Sequence, residues 1–368
     1  MDNKNKKMDL VYYATMICAF ILPTHFLLNT YSIDVTNYIF LSLIIILYTA
    51  SIIKEKRISK YEVILLFLII ILCVIRQELY PLYLIEYMSA YKYINSSDFK
   101  NTNKKAAIII SLVGVAIYSC IYLGYANRYI YTGIREINQS SFALFMLFLI
   151  IRKKYHKLGT FLLLIGLLTL SRNYAVCLIL LLILELISKS NLYQRIYKLL
   201  NIRVLMIVAT VILLLSSIVF EISYNKGLLN EYKEGINRYS GIMDYSNYHR
   251  FTVNKKVIEI YAQKPHLLIS GIEDETFYQE SLRISRNKGK PFRKIKPHNY
   301  FFSYIRIYGI WSIIIFIYLI KLFDKITTKE NAHILLIIMV YANILGIGLA
   351  NYWLFLSIIT MLTYKEGN

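Results

Sequence analysis

Residues 61–75 read YEVILLFLIIILCVI, fifteen positions with a single charge, Glu62, closed on either side by Lys60 and Arg76. A run with no polar stripe reads as a helix built for an apolar surrounding rather than for the surface of a globular protein. The same reading extends outward, to segments 10–28 and 35–53 before it. After it come 80–94, 106–125, 139–151, 158–170, 173–187, 204–221, 299–320, 333–348 and 351–363. The chain of 368 residues is 57% hydrophobic and only 17% charged, with a mean hydropathy of +0.49. Roughly 210 apolar residues suffice for about ten to twelve spans of ~20 residues each. This composition excludes a soluble enzyme. The expected fold is an all-α polytopic integral membrane protein of about 12 transmembrane helices with one large extracytoplasmic loop. Helices 1–9 are expected in residues 1–221, the loop in 222–297, and helices 10–12 in 298–368.

Charge sets the orientation. Lys and Arg number 42 against 22 Asp and Glu, an excess that in a soluble protein would suggest nucleic acid. Here the positions matter more than the total. With the N-terminus inside, the clusters Lys54–Lys60, Lys100–Lys105, Arg152–Lys157, Lys189–Arg203 and Lys321–Lys329, together with Lys365, all fall on the cytoplasmic side. The opposite short loops hold only Arg76, Arg128, Arg135 and Arg172, so the positive-inside rule places both termini in the cytoplasm. No nucleic-acid partner is expected. The Lys4, Lys6, Lys7 cluster precedes an apolar run without a small-residue cleavage motif, so the first segment is expected to stay as an anchor.

The long hydrophilic stretch 222–297 falls outside. It carries fourteen Lys or Arg against eight Asp or Glu. Long loops translocate whatever their charge, so the excess fits either an indifferent loop or an anion-binding cap. Within it Val253, Val257, Ile260 and Tyr261 recur at i, i+4, i+7 and i+8, the spacing of one apolar helical stripe.

Few residues have the setting for chemistry. Arg172 stands between two short apolar arms; a fifteen-residue arm rises only ~22 Å, less than the ~30 Å hydrocarbon core. A cation at that depth is either functional or a turn arginine snorkelling to phosphate. His298 opens the last group of spans, flanked by Arg293, Lys294 and Lys296. Those charges disfavour its protonated form and leave a neutral imidazole available as a base, although a lone interfacial His also serves as a structural hydrogen-bonder. Arg250 opens the amphipathic loop helix and Arg306 lies two turns beyond His298. A guanidinium forks onto phosphate oxygens without losing its proton, and it equally serves as an ion-pair partner. Asn138 and Gln139 begin a span on the outer side, where their amides fit sugar hydroxyls or a helix cap.

Other chemistries lack residues. Cys18, Cys73, Cys120 and Cys177 lie within apolar runs at irregular spacing, which gives neither a disulfide framework nor a metal pattern. The early outer segment Asn29–Asn37 offers only Asp34 where a metal-dependent transferase would show an acidic pair. No metal or other cofactor is expected. No Walker motif, HExxH or GxSxG occurs. Intramembrane acids, chiefly Glu86 and Glu185, are too few for a proton relay.

Four strings in order carry a family likeness. They are Leu168-Thr169-Leu170-Ser171-Arg172; Arg250 followed by Pro265 and Gly271; His298-Asn299-Tyr300-Phe301-Phe302 running to Tyr308-Gly309-Ile310; and, upstream, Gly133 with Asn138 to Ala143. Together they resemble the Thr-x-Ser-Arg hairpin, the loop Arg...Pro...Gly segment, the His-Asn-x-x-Leu...Gly-Ile stretch and the Gly...Asn-x-x-x-x-Ala element of the O-antigen ligase/polymerase superfamily. Phe302 stands where that family has Leu, and the tryptophan that family often has just after the loop arginine is absent, Phe251 following Arg250. The resemblance implies a GT-C-like membrane glycosyltransferase in the bacterial cytoplasmic (inner) membrane, acting on its outer face. It implies an undecaprenyl-diphosphate-linked glycan as donor and as acceptor, membrane lipid around it, and a chain-length regulator as a partner. His298, Arg172 and Arg250 would then be catalytic, and Asn299, Asn138, Gln139 and Arg306 would bind substrate. Polymerase and ligase share the donor and differ in the acceptor; 34 tyrosines and abundant Ile, Lys and Asn favour the polymerase. A lipid-linked oligosaccharide flippase would show as many spans, with no need of a large outer loop.

Overall fold

A computed structural model describes residues 30–77, 80–85, 87–89, 92, 141, 145, 148–149, 152, 156–168, 171–191, 193, 202–230, 243–297, 299–327 and 332–345. The segments expected at 10–28, 106–125 and 351–363, and most of 139–151, lie outside the described residues. The described elements are helical. In chain order they are α1 (Thr30–Glu55), α2 (Lys60–Arg76), a 3-10 turn (Tyr80–Leu84), α3 (His156–Leu168), α4 (Arg172–Ser188), α5 (Ile202–Asn225), α6 (Tyr245–Gln263), α7 (Leu267–Ser270), α8 (Asp274–Asn287), α9 (Tyr300–Tyr308), a 3-10 turn (Gly309–Trp311), α10 (Ser312–Ile326) and α11 (Ala332–Leu345). Among the described residues no strand forms, and an isolated bridge joins Asn230 to Asp244. The fold is all-α.

Local chemistry sets the helix ends. Before α2 the Ser59 side chain accepts from the Glu62 N–H while Glu62 accepts from the Ser59 N–H at 2.7 Å, a reciprocal capping box. Gln77, at φ 53, ends the same helix in the left-handed region. The segment expected as one span over 299–320 divides into α9, a 3-10 turn and α10. The break falls at Gly309, whose φ of 54 a helix cannot contain. Among the described residues, Tyr300–Lys321 as a whole is long and apolar enough to cross a membrane; Leu41–Ile53, His156–Leu167 and Thr210–Asn225 are shorter apolar helices.

Among the described residues, two buried clusters organise the packing. The larger joins α1, α2, α3, α4, α9, α10 and α11. At its centre Phe145 meets Tyr174 edge-on and lies beside Tyr341, each at 5.7 Å. Gly166 leaves room for the Tyr174 ring, since a Cβ there would lie 2.0 Å from it. The smaller cluster holds Val253, Val257, Ile260 and Tyr261 from α6 against Ile272, Phe277 and Ile284 of the α8 region and Phe302 of α9. The stripe read from the loop sequence is therefore a core face.

The outward faces are apolar as well. On α2, Leu65, Leu68, Ile69 and Leu72 are buried while Val63, Ile64, Phe67, Ile70 and Val74 are exposed on the other side. Along α5, Ile207, Val208, Val211, Ile212, Leu215 and Ile218 lie open in a row. Soluble monomers do not carry apolar surface on this scale unpartnered.

Candidate functional site

Arg172 opens α4, four positions after the last residue of α3. Ser171, itself buried, accepts from the Tyr174 N–H and so starts α4 with Arg172 as its first residue. The Arg172 guanidinium donates to Asp244 Oδ2 at 2.9 Å. Asp244 is 2% exposed, and its other oxygen accepts from the Asn247 N–H at 2.7 Å, capping α6. One carboxylate thus fastens the loop to the α3–α4 hairpin and begins the loop helix. Backbone reinforces it, with the Asn230 N–H donating to the Met243 carbonyl at 2.8 Å. Arg250 lies six residues along α6, ~9 Å farther up the axis at 1.5 Å per residue. It is half-buried.

A second junction joins the loop's Pro265–Gly271 segment to Asn299–Ile310. The Ile272 N–H donates to the Arg306 carbonyl at 2.7 Å. The Tyr261 hydroxyl donates to the carbonyls of Ile305 and Arg306 at 2.7 and 3.0 Å. Arg76, from the last turn of α2, donates to the Ile307 carbonyl. The last carbonyls of α9 are satisfied by donors from three directions. Two glycines make the approach possible: a Cβ on Gly271 would lie 1.9 Å from the Ile307 oxygen, and one on Gly309 2.1 Å from the Leu268 oxygen. Trp311 Nε1 closes the contact by donating to the Ile269 carbonyl at 2.9 Å.

Arg306 belongs to this junction. It is 4% exposed, donates to the Ile272 carbonyl at 3.1 Å and to Asp274 Oδ1 at 2.7 Å, and lies over the Phe277 ring. Burial pushes the Asp274 carboxyl up, but Lys296 and Arg306 together hold it below the usual carboxylate range. Arg306 therefore acts here as a strut between α9 and α8. Asn299 is 1% exposed, and its side chain accepts from the Phe302 N–H at 3.0 Å, capping α9. In both residues the structure shows the ion-pair and capping roles. His298, Asn138 and Gln139 lie outside the described residues.

Immediately beyond the cap, the Tyr87 hydroxyl lies 2.9 Å from that of Tyr300 and bonds that of Tyr304 as well. This buried hydroxyl cluster links the segment after α2 to α9. Electrostatics single out another histidine. His249, beside Arg250, has its pKa pushed down to about 4 by burial first and then by Lys256 and Arg293. The neutral imidazole among cations that the sequence suggests at His298 is thus present at His249.

Sequence reasoning did not find Asp244 or Lys256, and it leaves His249 as a structural or surface residue. Asp244 was legible only as a helix cap, because its partner lies 72 positions away. Among the described residues no three His, Cys, Asp or Glu side chains gather as a metal would require. No protein-family model, curated protein or solved structure matches the chain.

Proposed function

We propose that the chain is a polytopic membrane glycosyltransferase that polymerises lipid-diphosphate-linked oligosaccharide repeats, by inversion and without metal. The membrane part of the reading rests on the outward apolar faces of α2 and α5, together with an α4 whose Val176, Ile179, Leu182, Ile183 and Leu186 are exposed. In lipid these side chains need no protein partner.

The observation that carries the site is the Arg172–Asp244 pair. It draws the hairpin cation to the N-terminal end of the helix that bears Arg250, where the helix dipole also favours an anion. A diphosphate arriving there offers the guanidiniums a bidentate acceptor in competition with Asp244. In the proposed reaction an acceptor hydroxyl oxygen attacks the anomeric carbon, and the bond from that carbon to the diphosphate oxygen breaks. His298 takes the hydroxyl proton, and Arg172 and Arg250 neutralise the charge on the departing lipid diphosphate. Loss of one arginine then costs a few kcal/mol of transition-state stabilisation, on the scale of a lost oxyanion donor.

The test is a deletion strain complemented with wild type, His298→Ala or Arg172→Ala at matched expression. Glycan ladders are read on gels and lipid-linked single repeats are measured outside the membrane. Single-repeat products with externally accessible precursor are expected from both variants. Persisting ladders would refute the site. Precursor retained in the cytoplasm would point to a flippase, and single repeats transferred normally to a different acceptor would point to a ligase.

A further inference from the structure

A second charged site lies elsewhere in the loop domain, between the end of α5, α6 and the turn after α8. It is an open surface pocket whose wall includes Lys255, Lys256, Lys288, Lys290, Glu221 and Glu259. Each carboxylate is already engaged by two ammonium groups. Glu221 takes Lys255 at 2.7 Å and Lys290 at 3.1 Å; Glu259 takes Lys288 at 2.7 Å and Lys255 at 3.9 Å. Four cations against two anions leave an excess of two positive charges.

Lys256 is the cation left over. Among the described residues its ammonium has no carboxylate within ion-pair distance; it donates to Ser285 Oγ at 2.6 Å and lies 5.3 Å from the centre of the Phe292 ring. An ammonium has three donors, and a hydroxyl and a ring face satisfy it incompletely. A half-buried cation of this kind is stabilised by an anion that brings several acceptor oxygens. We propose that this pocket binds a phosphate-type oxyanion, with Lys256 and Ser285 as its anchors and Lys288 and Lys290 at its rim.

The surroundings give the site a pH signature. Burial foremost, then Lys288 and Lys290, push the Lys256 pKa down to about 8, against the opposing pull of Glu259 and Glu221. His249 faces Lys256 as a neutral ring, and the Tyr248 phenol, raised to about 12, stays protonated. Lys255 remains tied to Glu221 and Glu259. Affinity for an oxyanion therefore follows the Lys256 proton and falls about tenfold per pH unit above 8.

The proposal is independent of the glycosyl-transfer reading. Its test uses the full chain in nanodiscs of zwitterionic lipid, titrated with inorganic phosphate at constant ionic strength. The readout is hydrogen-exchange protection of residues 284–291. Saturable protection is expected, weakened at least tenfold in Lys256→Met and retained in Lys294→Gln, an exposed loop cation outside the pocket. Ser285→Ala combined with Lys290→Gln should lose it too, and serves if Lys256→Met does not fold. Protection that appears only in nanodiscs containing phosphatidylglycerol, and still depends on Lys256, assigns the oxyanion to a lipid headgroup instead of a soluble phosphate. No saturable protection in either lipid, or wild-type protection in Lys256→Met, overturns the proposal.

Discussion

Replacing Gly271 by alanine tests the junction between the loop and α9. Gly271 sits at φ 78, ψ −179, a region open almost only to glycine, where another residue costs ~1–3 kcal/mol. The new Cβ would lie 1.9 Å from the Ile307 oxygen and 2.7 Å from its carbon, and both are backbone atoms that cannot swing aside. The loop must withdraw. That withdrawal gives up the Ile272 N–H bond to the Arg306 carbonyl and the Arg306 bond to the Ile272 carbonyl. The first contributes ~1 kcal/mol and the second, from a charged donor, ~1.5 kcal/mol or more. The total is about 4 kcal/mol, or roughly a thousandfold in the local opening equilibrium at 1.4 kcal/mol per tenfold. Gly227 is the control: its φ is 67, but nothing lies within 4 Å of an added Cβ. There only the backbone term of ~1–2 kcal/mol remains, about a tenfold effect. Hydrogen-exchange mass spectrometry in detergent-solubilised wild type, Gly271→Ala and Gly227→Ala reads the first at residues 265–273 and 303–311 and the second at residues 222–230. Equal effects of the two substitutions would refute the reasoning, because both carry a positive-φ penalty while the carbonyl contact, and the bonds lost in relieving it, belong to Gly271.

Arg172 and Asp244 should be energetically coupled: a double-mutant cycle of Arg172→Gln and Asp244→Asn, read by unfolding of the loop domain, is expected to give ~1.5–3 kcal/mol. A coupling under about 0.5 kcal/mol, the level of additive sites, would remove the pair as the loop's tether. His249 predicts an acid sensitivity. Its folded pKa of about 4 lies below the ordinary 6.5, so its contribution is full above pH 6.5 and is lost as the pH falls toward 4. Exchange protection of α6, corrected for intrinsic rate, should decline over that window in wild type and stay flatter in His249→Gln; identical profiles would show that the ring is not desolvated. Trp311→Phe keeps the ring and loses the bond to the Ile269 carbonyl, so residues 267–271 should open more readily by ~1 kcal/mol, and unchanged protection there would deny the bond a role.

Most helices were legible as apolar runs. Segment 173–187 lies within α4 (Arg172–Ser188), and 61–75 within α2 (Lys60–Arg76). The α6 stripe was legible too, because 3.6-residue periodicity is a local property of the chain. The division of 299–320 was not. Gly309 and the Tyr-Gly-Ile string were visible, but glycine is common in apolar helices. What forces the break is the Leu268 carbonyl arriving from a segment forty residues earlier.

The candidate residues separate along the same line. Arginine at 172, 250 and 306 follows from the sequence, as does the capacity of each for an anion. Which anion each one meets depends on chain segments far apart. Asp244 reaches Arg172 across 72 positions, and Asp274 and the Ile272 carbonyl surround Arg306. Lys256 reads in sequence as one lysine among fourteen basic loop residues. Its distinction arises only when Glu221 and Glu259 are taken by Lys255, Lys288 and Lys290. Periodicity and composition are short-range, so the sequence alone determined an all-helical, strongly apolar chain with one basic hydrophilic loop. Ion pairing and desolvation depend on which groups meet through space, so only the tertiary structure decided which cations are struts and which is left to receive a ligand.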